Sequence, residues 1–237
     1  MRPLFTICLL LTTTISFSQS PLKHKTFSRS TFQGMKYGLF TPINYDKSKS
    51  YPLIVYLHGS RDTTMHDVRY YSTESQAKNP TFFLNPISSE SNLGWGDSWH
   101  PNHTEWAAKT VKLIDSLTAK FNIDKKRIYL YGISMGGFGV ISMLTKEQGK
   151  FAAAIVICGG GNSKGADKLI NTPIWFFHGA DDDIVPIYLS KDIYNEIQKL
   201  GGTLAKYTEY PGVKHNAWEP ASKEKGLDDW LFSQSKK

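Results

Sequence analysis

The sequence predicts an α/β fold in which helices flank a mostly parallel central sheet. Three predominantly apolar runs, at residues 53–59, 127–134 and 173–179, are typical of strands buried on both faces of such a sheet. Segments with helical spacing of their apolar residues alternate with strand-like runs, and this alternation is typical of βα units. The chain has 237 residues, which is enough for one compact domain and short for two.

The first half of the chain contains two strand regions, a long polar stretch and a helix. Residues 27–42 mix aromatic, β-branched and turn residues, so we expect one or two exposed strands at a sheet edge. Residues 60–101 are polar and loop-rich apart from a short apolar segment, and loops of that length are usually functional. Residues 104–121 have helical spacing of their apolar side chains, which predicts a helix with Thr104 as its N-cap.

The second half of the chain repeats the alternation of strands and helices. We expect a helix after Met135 and a closing helix near residues 223–232. Between them we predict strands at 151–158, 173–179 and 203–210 and a helix at about 188–200. Little of the chain is left over, so we predict a single domain at residues 19–237 without a large lid domain.

The N-terminal segment has the layout of a secretory signal peptide. Arg2 precedes an apolar run at residues 4–11, and small residues lie shortly before Gln19. The apolar run is short and rich in threonine, so a membrane-spanning anchor is a weaker interpretation than cleavage after Ser18. We therefore predict that residues 1–18 are removed and that the rest of the chain is exported, periplasmic or secreted, without stable membrane insertion.

Composition and charge narrow the function classes. Hydrophobic residues make up 40% and charged residues 21% of the chain, as in an ordinary globular protein. The formal net charge of +7 is spread over many lysines without a dense basic block, so we predict no nucleic-acid partner. Removal of the predicted signal leaves Cys158 as the single cysteine, and its place at the end of an apolar run predicts a buried, unreactive thiol.

A candidate nucleophile lies at the turn after the second long apolar run. Residues 132–136 match the pattern G-x-S-x-G, with Ser134 at the centre, between a predicted strand and a predicted helix. The flanking glycines leave space around a serine on a sharp, strained turn. The alternative is a glycine-rich turn without chemistry. A serine hydroxyl is a weak nucleophile, so catalysis also requires a base and a carboxylate that orients it.

Candidates for the base and the acid follow later strands. His215 lies between the last predicted strand and the last predicted helix, a placement that the other histidines lack. Three carboxylates, at residues 181–183, follow the strand at 173–179, and at most one of them can orient the base. The order serine, carboxylate, histidine is that of the α/β-hydrolases. The other carboxylates fit a solvated capping cluster before a helix.

The remaining histidines fit structural or surface positions. His58 and His178 end apolar strands and precede glycines, so we expect them to form hydrogen bonds with nearby loops. His100 and His103 lie near carboxylates in a loop, but without the spacing of a defined metal site. We therefore predict that the protein uses no metal and no other cofactor.

Acyl transfer also requires donors for the oxyanion and a surface for the substrate. We expect one backbone N–H from Met135, which follows the serine, and a second from Ser60, because a His-Gly turn lets the backbone approach closely. Amphipathic indole rings often line acyl or sugar sites. We predict substrate-binding roles for three tryptophans, with core or loop packing as the alternative for each: Trp95, Trp99 and Trp218.

Four segments, in this order, resemble the esterase branch of the α/β-hydrolases: YLHGS, YGISMGGFG, FFHGADDDIVP and GVKHNAW. The resemblance covers roughly residues 37–232 and extends to dienelactone hydrolase-like, feruloyl or acetylxylan esterase-like and phospholipase/carboxylesterase proteins. It implies an α/β-hydrolase fold with Ser134 as nucleophile and His215 as base. The spacing of the third segment is similar to a family pattern that selects Asp182 as the acid, with Asp183 as the alternative.

The same resemblance implies hydrolysis of carboxylic esters through an acyl-enzyme. The expected partner is a small-molecule or glycan ester, and deacylation of polysaccharide fits an exported enzyme. A serine in the nucleophile motif departs from cysteine-dependent dienelactone chemistry, and the oxyanion turn lacks the longer glycine run of some lipases. Two alternatives stay open: a peptidase similar to the catalytic domain of prolyl oligopeptidase, and a hydrolase fold that binds a ligand without catalysis.

Overall fold

The computed structural model describes residues 27–60, 68–89 and 94–236, so the predicted signal segment lies outside the described residues. The described residues form a sheet of eight strands in the order β1-β2-β4-β3-β5-β6-β7-β8. The strands are β1 Phe27–Phe32, β2 Met35–Phe40, β3 Tyr51–Leu57, β4 Phe82–Pro86, β5 Ile123–Ile133, β6 Ala153–Ile157, β7 Ile174–Gly179 and β8 Ala205–Tyr210.

Most neighbouring strands of the sheet are parallel. β4 pairs with β3, β3 with β5, and the series continues through β6 and β7 to β8, all in parallel register. β1 and β2 form an antiparallel hairpin, and β2 pairs antiparallel with β4. The predicted fold class is confirmed, with the antiparallel hairpin at the edge where exposed strands were expected.

Helices cover both faces of the sheet. They are α1 Thr73–Lys78, α2 Glu105–Lys120, α3 Met135–Lys146, α4 Tyr188–Lys199, α5 Trp218–Ala221 and α6 Leu227–Ser233. Apolar side chains of α2, α3 and α4 join the buried cluster on one face. Side chains of α5 and α6 join the cluster on the opposite face. Within the described ranges no helix is both long and apolar enough to cross a bilayer.

Strand β5 shows how the sequence divides the core between the two faces. Leu130 belongs to the cluster under α2, α3 and α4, whereas its neighbours Tyr129 and Tyr131 belong to the cluster under α5 and α6. Successive side chains of a strand point to opposite faces, so an unbroken apolar run can fill both cores. β5 therefore runs between the two cores and ends at Ile133, directly before Ser134.

The stretch at residues 60–101 contains more regular structure than its composition indicates. Residues 82–86 form β4, which lies between β2 and β3, and the short helix α1 precedes it. Its apolar segment is only five residues long, which is enough for a strand buried on both faces but too short to show periodicity. Thr104 caps α2 as expected, because its side chain accepts a hydrogen bond from the Ala107 N–H.

Candidate active site

The candidate catalytic residues follow four different strands at one edge of the sheet. Ser134 follows β5, Asp182 lies just after β7, His215 follows β8, and Ser60 lies just after β3. These four strands are parallel, so their carboxyl ends meet at the same edge. Ligands of open α/β sheets bind outside these carboxyl ends. Residues far apart in the sequence are therefore brought to one place by topology.

Ser134 has a strained backbone at the junction of β5 and α3. Its φ is 54° and its ψ is −117°, a conformation that residues other than glycine rarely adopt. The backbone N–H of Ser134 donates to the Ile157 carbonyl of β6 at 2.9 Å, and its own carbonyl accepts from Phe138 at 3.2 Å. The strand and the helix thus hold the turn from both sides and keep the hydroxyl at the edge of the sheet.

The glycines around Ser134 are required by close packing. A Cβ atom on Gly132 would overlap the carbonyl group of Gly136, and a Cβ on Gly136 would overlap the carbonyl group of Leu57 in β3. A Cβ on Gly137 would come within 2.9 Å of the Gly159 Cα. The sequence pattern therefore reflects the approach of α3 to the ends of β3 and β6.

A chain of hydrogen bonds connects the serine, the histidine and one carboxylate. His215 Nε2 lies 2.9 Å from Ser134 Oγ, and His215 Nδ1 lies 2.8 Å from Asp182 Oδ2 and 3.1 Å from Oδ1. With Nδ1–H donating to the carboxylate, Nε2 is free to accept the serine proton. The three side chains are therefore placed as a nucleophile, a base and a group that orients the base.

The Asp182 carboxylate is buried and fully hydrogen-bonded. Its side chain is 0% exposed, and Oδ1 accepts the backbone N–H groups of Ile184 at 2.9 Å and Val185 at 2.8 Å. Burial raises the pKa of Asp182, but the hydrogen bonds from His215 and from these two amides outweigh it, so the pKa lies below its ordinary value. Asp182 is thus held as an anion beside the imidazole.

The neighbouring carboxylate points elsewhere. Asp183 Oδ2 lies 3.0 Å from Lys214 Nζ in an exposed ion pair, and the hydrogen bond from Lys214 lowers the pKa of Asp183. Among the described residues, Asp183 forms no hydrogen bond with Ser134 or with the His215 ring. The geometry favours Asp182 over Asp183 as the partner of His215.

The turn after β3 lies beside Ser134. A Cβ atom on Gly59 would be 3.8 Å from the Ser134 Cβ. His58 holds the turn, because its Nε2 accepts the Ser88 N–H at 3.1 Å and its Nδ1–H therefore donates to the Gly59 carbonyl at 2.8 Å. In a trans peptide the Ser60 N–H points opposite to that carbonyl. His58 thus fixes the direction of one amide that was expected to bind the oxyanion, and the other expected amide, that of Met135, lies at the start of α3.

The three predicted substrate-binding tryptophans differ in their surroundings. Trp218 is 36% exposed and lies edge-on to the His215 ring, with 5.7 Å between centroids. Trp99 is 48% exposed and lies 6.2 Å from the ring of Phe138, one turn along α3 from Ser134. Trp95 is 0% exposed, and its indole N–H donates to the His58 carbonyl at 3.0 Å. The prediction for Trp95 is therefore wrong, because this ring packs under the oxyanion turn and has no surface for a ligand.

Sequence reasoning also missed a contact of His178. This ring is 0% exposed, and its Nε2 lies 3.2 Å from Asp182 Oδ2 and 2.9 Å from the Val185 carbonyl oxygen. The expected bond with a nearby loop is present, but the contact with Asp182 was not foreseen. The sequence signal for this contact was that Asp182 lies four positions after His178, with a tight turn between them.

Other titratable side chains near the site are engaged elsewhere. His100 Nδ1 lies 2.9 Å from Asp97, and His103 Nε2 lies 2.9 Å from Glu147. In the part of the chain that the structure describes, no group of three or more metal-ligating side chains is assembled. Cys158 is buried without a disulfide, and burial raises the pKa of its thiol far above the ordinary value, as expected for an unreactive cysteine.

The parallel sheet, the strained serine turn and the order serine, aspartate, histidine together define the class of the α/β-hydrolases. The sequence profile of the phospholipase/carboxylesterase family matches residues 41–223. The chain belongs to this family and is an esterase-type α/β-hydrolase.

Three similar proteins agree with this assignment. The chain is 32% identical to a probable feruloyl esterase C of Aspergillus terreus over 81% of this chain and 72% of that protein. It is 28% identical to the bifunctional acetylxylan esterase/xylanase XynS20E of Neocallimastix patriciarum over 67% of this chain and 23% of that protein. The crystal structure of a thermostable esterase has a TM-score of 0.81 and 31% identity, covering 89% of this chain and 64% of that one. The chain thus spans less than a quarter of the bifunctional relative.

Proposed function

We propose that this chain is an exported serine esterase that hydrolyses carboxylic esters through an acyl-enzyme on Ser134. The observation that carries the proposal is the continuous contact of His215 with Ser134 Oγ at 2.9 Å and with Asp182 Oδ2 at 2.8 Å. Residues 19–237 act as one catalytic domain in this proposal, which is supported by a single sheet whose two faces are both covered by helices.

In the first half of the reaction, Ser134 Oγ forms a bond with the ester carbonyl carbon and its proton passes to His215 Nε2. The carbonyl oxygen becomes an oxyanion, and the backbone N–H groups of Met135 and Ser60 donate to it. The tetrahedral intermediate then loses the alkoxide, which takes the proton from His215 and leaves as an alcohol. The acyl group stays on Ser134.

In the second half, water replaces the alcohol. His215 takes a proton from water as the hydroxide adds to the acyl carbon, and the bond to Ser134 Oγ breaks as the serine recovers the proton. The carboxylic acid is released. Asp182 remains an anion throughout, which orients the imidazole and stabilises the imidazolium that forms in both halves.

In this proposal two exposed indole rings contribute to the substrate surface. Trp218 borders His215, and Trp99 borders Phe138 on α3, so each indole offers an exposed face near the serine. A groove of about 420 Å³ extends from Trp99 and includes Lys146 and Lys168 in its lining. Aromatic rings and hydrogen-bonding groups of this kind suit an aromatic acyl group or a sugar. The proposed substrates are therefore small esters or acylated polysaccharide, in line with the similarity to feruloyl and acetylxylan esterases.

Export rests on the N-terminal sequence pattern. Arg2, the apolar run at 4–11 and the residues before Gln19 support cleavage after Ser18. Expression of the full chain in a Gram-negative host and mass measurement of the extracytoplasmic product test this part. A product that begins at Gln19 supports it, whereas an uncleaved chain retained in the cell contradicts it.

A substrate panel tests the catalytic proposal. The purified protein is assayed with p-nitrophenyl acetate, butyrate and octanoate, with methyl ferulate and with a proline anilide. We expect turnover of esters and none of the anilide, and the same panel with Ser134→Ala serves as the control. If the protein hydrolysed the anilide alone, the esterase proposal would be wrong, and a peptidase of the prolyl oligopeptidase type would be the better interpretation.

A further inference from the structure

A second histidine reaches the carboxylate that orients His215. His178 is the penultimate residue of β7, and its Nε2 lies 3.2 Å from Asp182 Oδ2, the same oxygen that is 2.8 Å from His215 Nδ1. The His178 and Asp182 side chains are both 0% exposed. Oδ2 is therefore shared by two imidazoles, while Oδ1 is occupied by backbone amides.

The contacts of His178 determine where its proton lies. Nε2 faces two acceptors, the Asp182 carboxylate and the Val185 carbonyl at 2.9 Å, so it carries the hydrogen. Nδ1 lies 2.7 Å from Ser190 Oγ, which in turn lies 2.9 Å from the Tyr207 hydroxyl. Tyr207 donates to Ser190 and Ser190 donates to Nδ1, so both ring nitrogens of His178 and both hydroxyl groups have a hydrogen-bond partner.

The surroundings keep His178 neutral. Burial lowers its pKa below the ordinary value of 6.5, and the titratable groups that face it are Asp182, His215 and Tyr207. Burial also raises the pKa of Tyr207 to about 12, so its hydroxyl keeps its proton and donates to Ser190. A neutral His178 donates its Nε2–H to the Val185 carbonyl and places this N–H dipole 3.2 Å from Asp182 Oδ2 without neutralising the carboxylate.

We propose that His178 is a positioning residue, whose Nε2–H holds the Asp182 carboxylate toward His215 and weakens Oδ2 as a proton acceptor. A carboxylate with the positive end of an additional N–H dipole beside it attracts a neighbouring imidazolium less strongly. We therefore expect the acid limb of the pH–rate profile to lie at lower pH with His178 than without it. This inference rests on the proposed function of Ser134 and His215.

A purely structural role makes a different prediction. If His178 served only to tie the loop after β7 through the Val185 carbonyl, its loss would lower stability without moving the pH profile of the reaction. The pH profile of kcat/KM thus separates the two roles, because it reports the ionisation of the free enzyme.

Two substitutions of His178 separate the effect of its N–H donor from that of its ring. His178→Gln keeps an N–H near the place of Nε2 and an oxygen that accepts from Ser190, whereas His178→Phe keeps a planar ring without a donor. Tyr129→Phe is the control, because it removes a buried hydrogen bond of 2.9 Å to the Gln234 carbonyl away from the site. Each protein is assayed with p-nitrophenyl acetate from about pH 4 to 9.

For His178→Phe we expect the acid limb of kcat/KM to move upward by about 0.5 to 1 pH unit and its plateau to fall roughly tenfold. His178→Gln returns the midpoint to within about 0.2 pH unit of the natural enzyme, and Tyr129→Phe leaves it unmoved. An acid limb that stays in place in His178→Phe, or fails to return in His178→Gln, would overturn the proposal.

A second measurement uses the unaltered protein and needs neither activity nor a stable variant. Histidine ¹⁵N NMR reports which ring nitrogen of His178 carries the proton, and we expect the Nε2–H form at neutral pH. An Nδ1–H form would leave no donor toward Asp182 and would overturn the proposal. If the protein hydrolyses no ester, the proposed function fails, while the NMR result still decides the state of His178.

Discussion

Gly136 packs directly against the carbonyl group of Leu57, where a side chain would overlap the backbone. This contact joins the first turn of α3 to the end of β3, and so fixes Ser134 relative to the turn at residues 58–60. The candidate nucleophile and the predicted oxyanion donor are thus positioned by the same packing of α3 against β3.

Gly136→Ala tests the importance of this contact. Because the added methyl group would overlap backbone atoms that cannot move independently, we expect a loss of at least about 3 kcal/mol in the free energy of unfolding. Gly165→Ala is the matched control, since its methyl group would lie at an ordinary 3.6 Å from Thr145 Cγ2. Urea denaturation gives both values, and equal stabilities of the two variants would contradict the packing described for the turn.

The backbone strain at Ser134 can be measured by comparing two inactive variants. Ser134→Ala and Ser134→Gly both lose the hydroxyl, but only glycine adopts a φ of 54° and a ψ of −117° without steric cost. We expect Ser134→Gly to be about 1 kcal/mol more stable than Ser134→Ala in urea denaturation. If the alanine variant were the more stable one, the turn would not be strained.

The two neighbouring aspartates are expected to differ sharply in their effect on turnover. Asp182→Asn removes the acceptor of His215 Nδ1–H, so kcat should fall by roughly 10³ to 10⁴. Asp183→Asn breaks only an exposed ion pair with Lys214, and kcat should stay within about twofold. Steady-state kinetics with p-nitrophenyl acetate measures both, and the reverse order would move the acid assignment to Asp183.

The buried histidine also makes stability depend on pH. The pKa of His178 is lowered by burial below 6.5, so the unfolded chain binds a proton at a higher pH than the folded chain does. Stability therefore falls as the pH drops below about 6.5, by up to about 1.4 kcal/mol per pH unit from this group. The lowered pKa of Asp182 adds a separate loss only at more acidic pH, as its carboxylate becomes protonated.

Urea denaturation between pH 5 and pH 7 checks this dependence. The slope of stability against pH should be smaller in His178→Gln than in the natural protein, because glutamine does not titrate. The same slope in both proteins would mean that His178 does not contribute to it.

Much of the architecture was predictable because its signals are local. β3, β7 and residues 128–132 of β5 are buried and predominantly apolar, and Thr104 marks the start of α2. The polar first half of β5 lacks this signal. Strand β4 was missed because its position depends on pairing with β2 and β3, which no property of a five-residue segment reveals.

The same difference between local and long-range signals applies to the candidate site. Ser134 and His215 were identified from their places after strands, and the structure brings them within 2.9 Å of each other. The burial of Trp95 depends on how distant loops pack, so the sequence contained no direct signal for it. The contact of His178 with Asp182 depends on the turn after β7, and only the four-residue spacing indicated it. Residues that a motif defines were therefore predictable, whereas residues that act by packing were not.

If Ser134 is an activated nucleophile, it should react with a fluorophosphonate. Intact mass and peptide mapping should show one adduct per chain, on Ser134. His215→Ala should abolish or greatly slow labelling, because the serine then lacks its base. A folded natural protein that stays unlabelled at Ser134 would contradict the account and leave a hydrolase fold without catalysis.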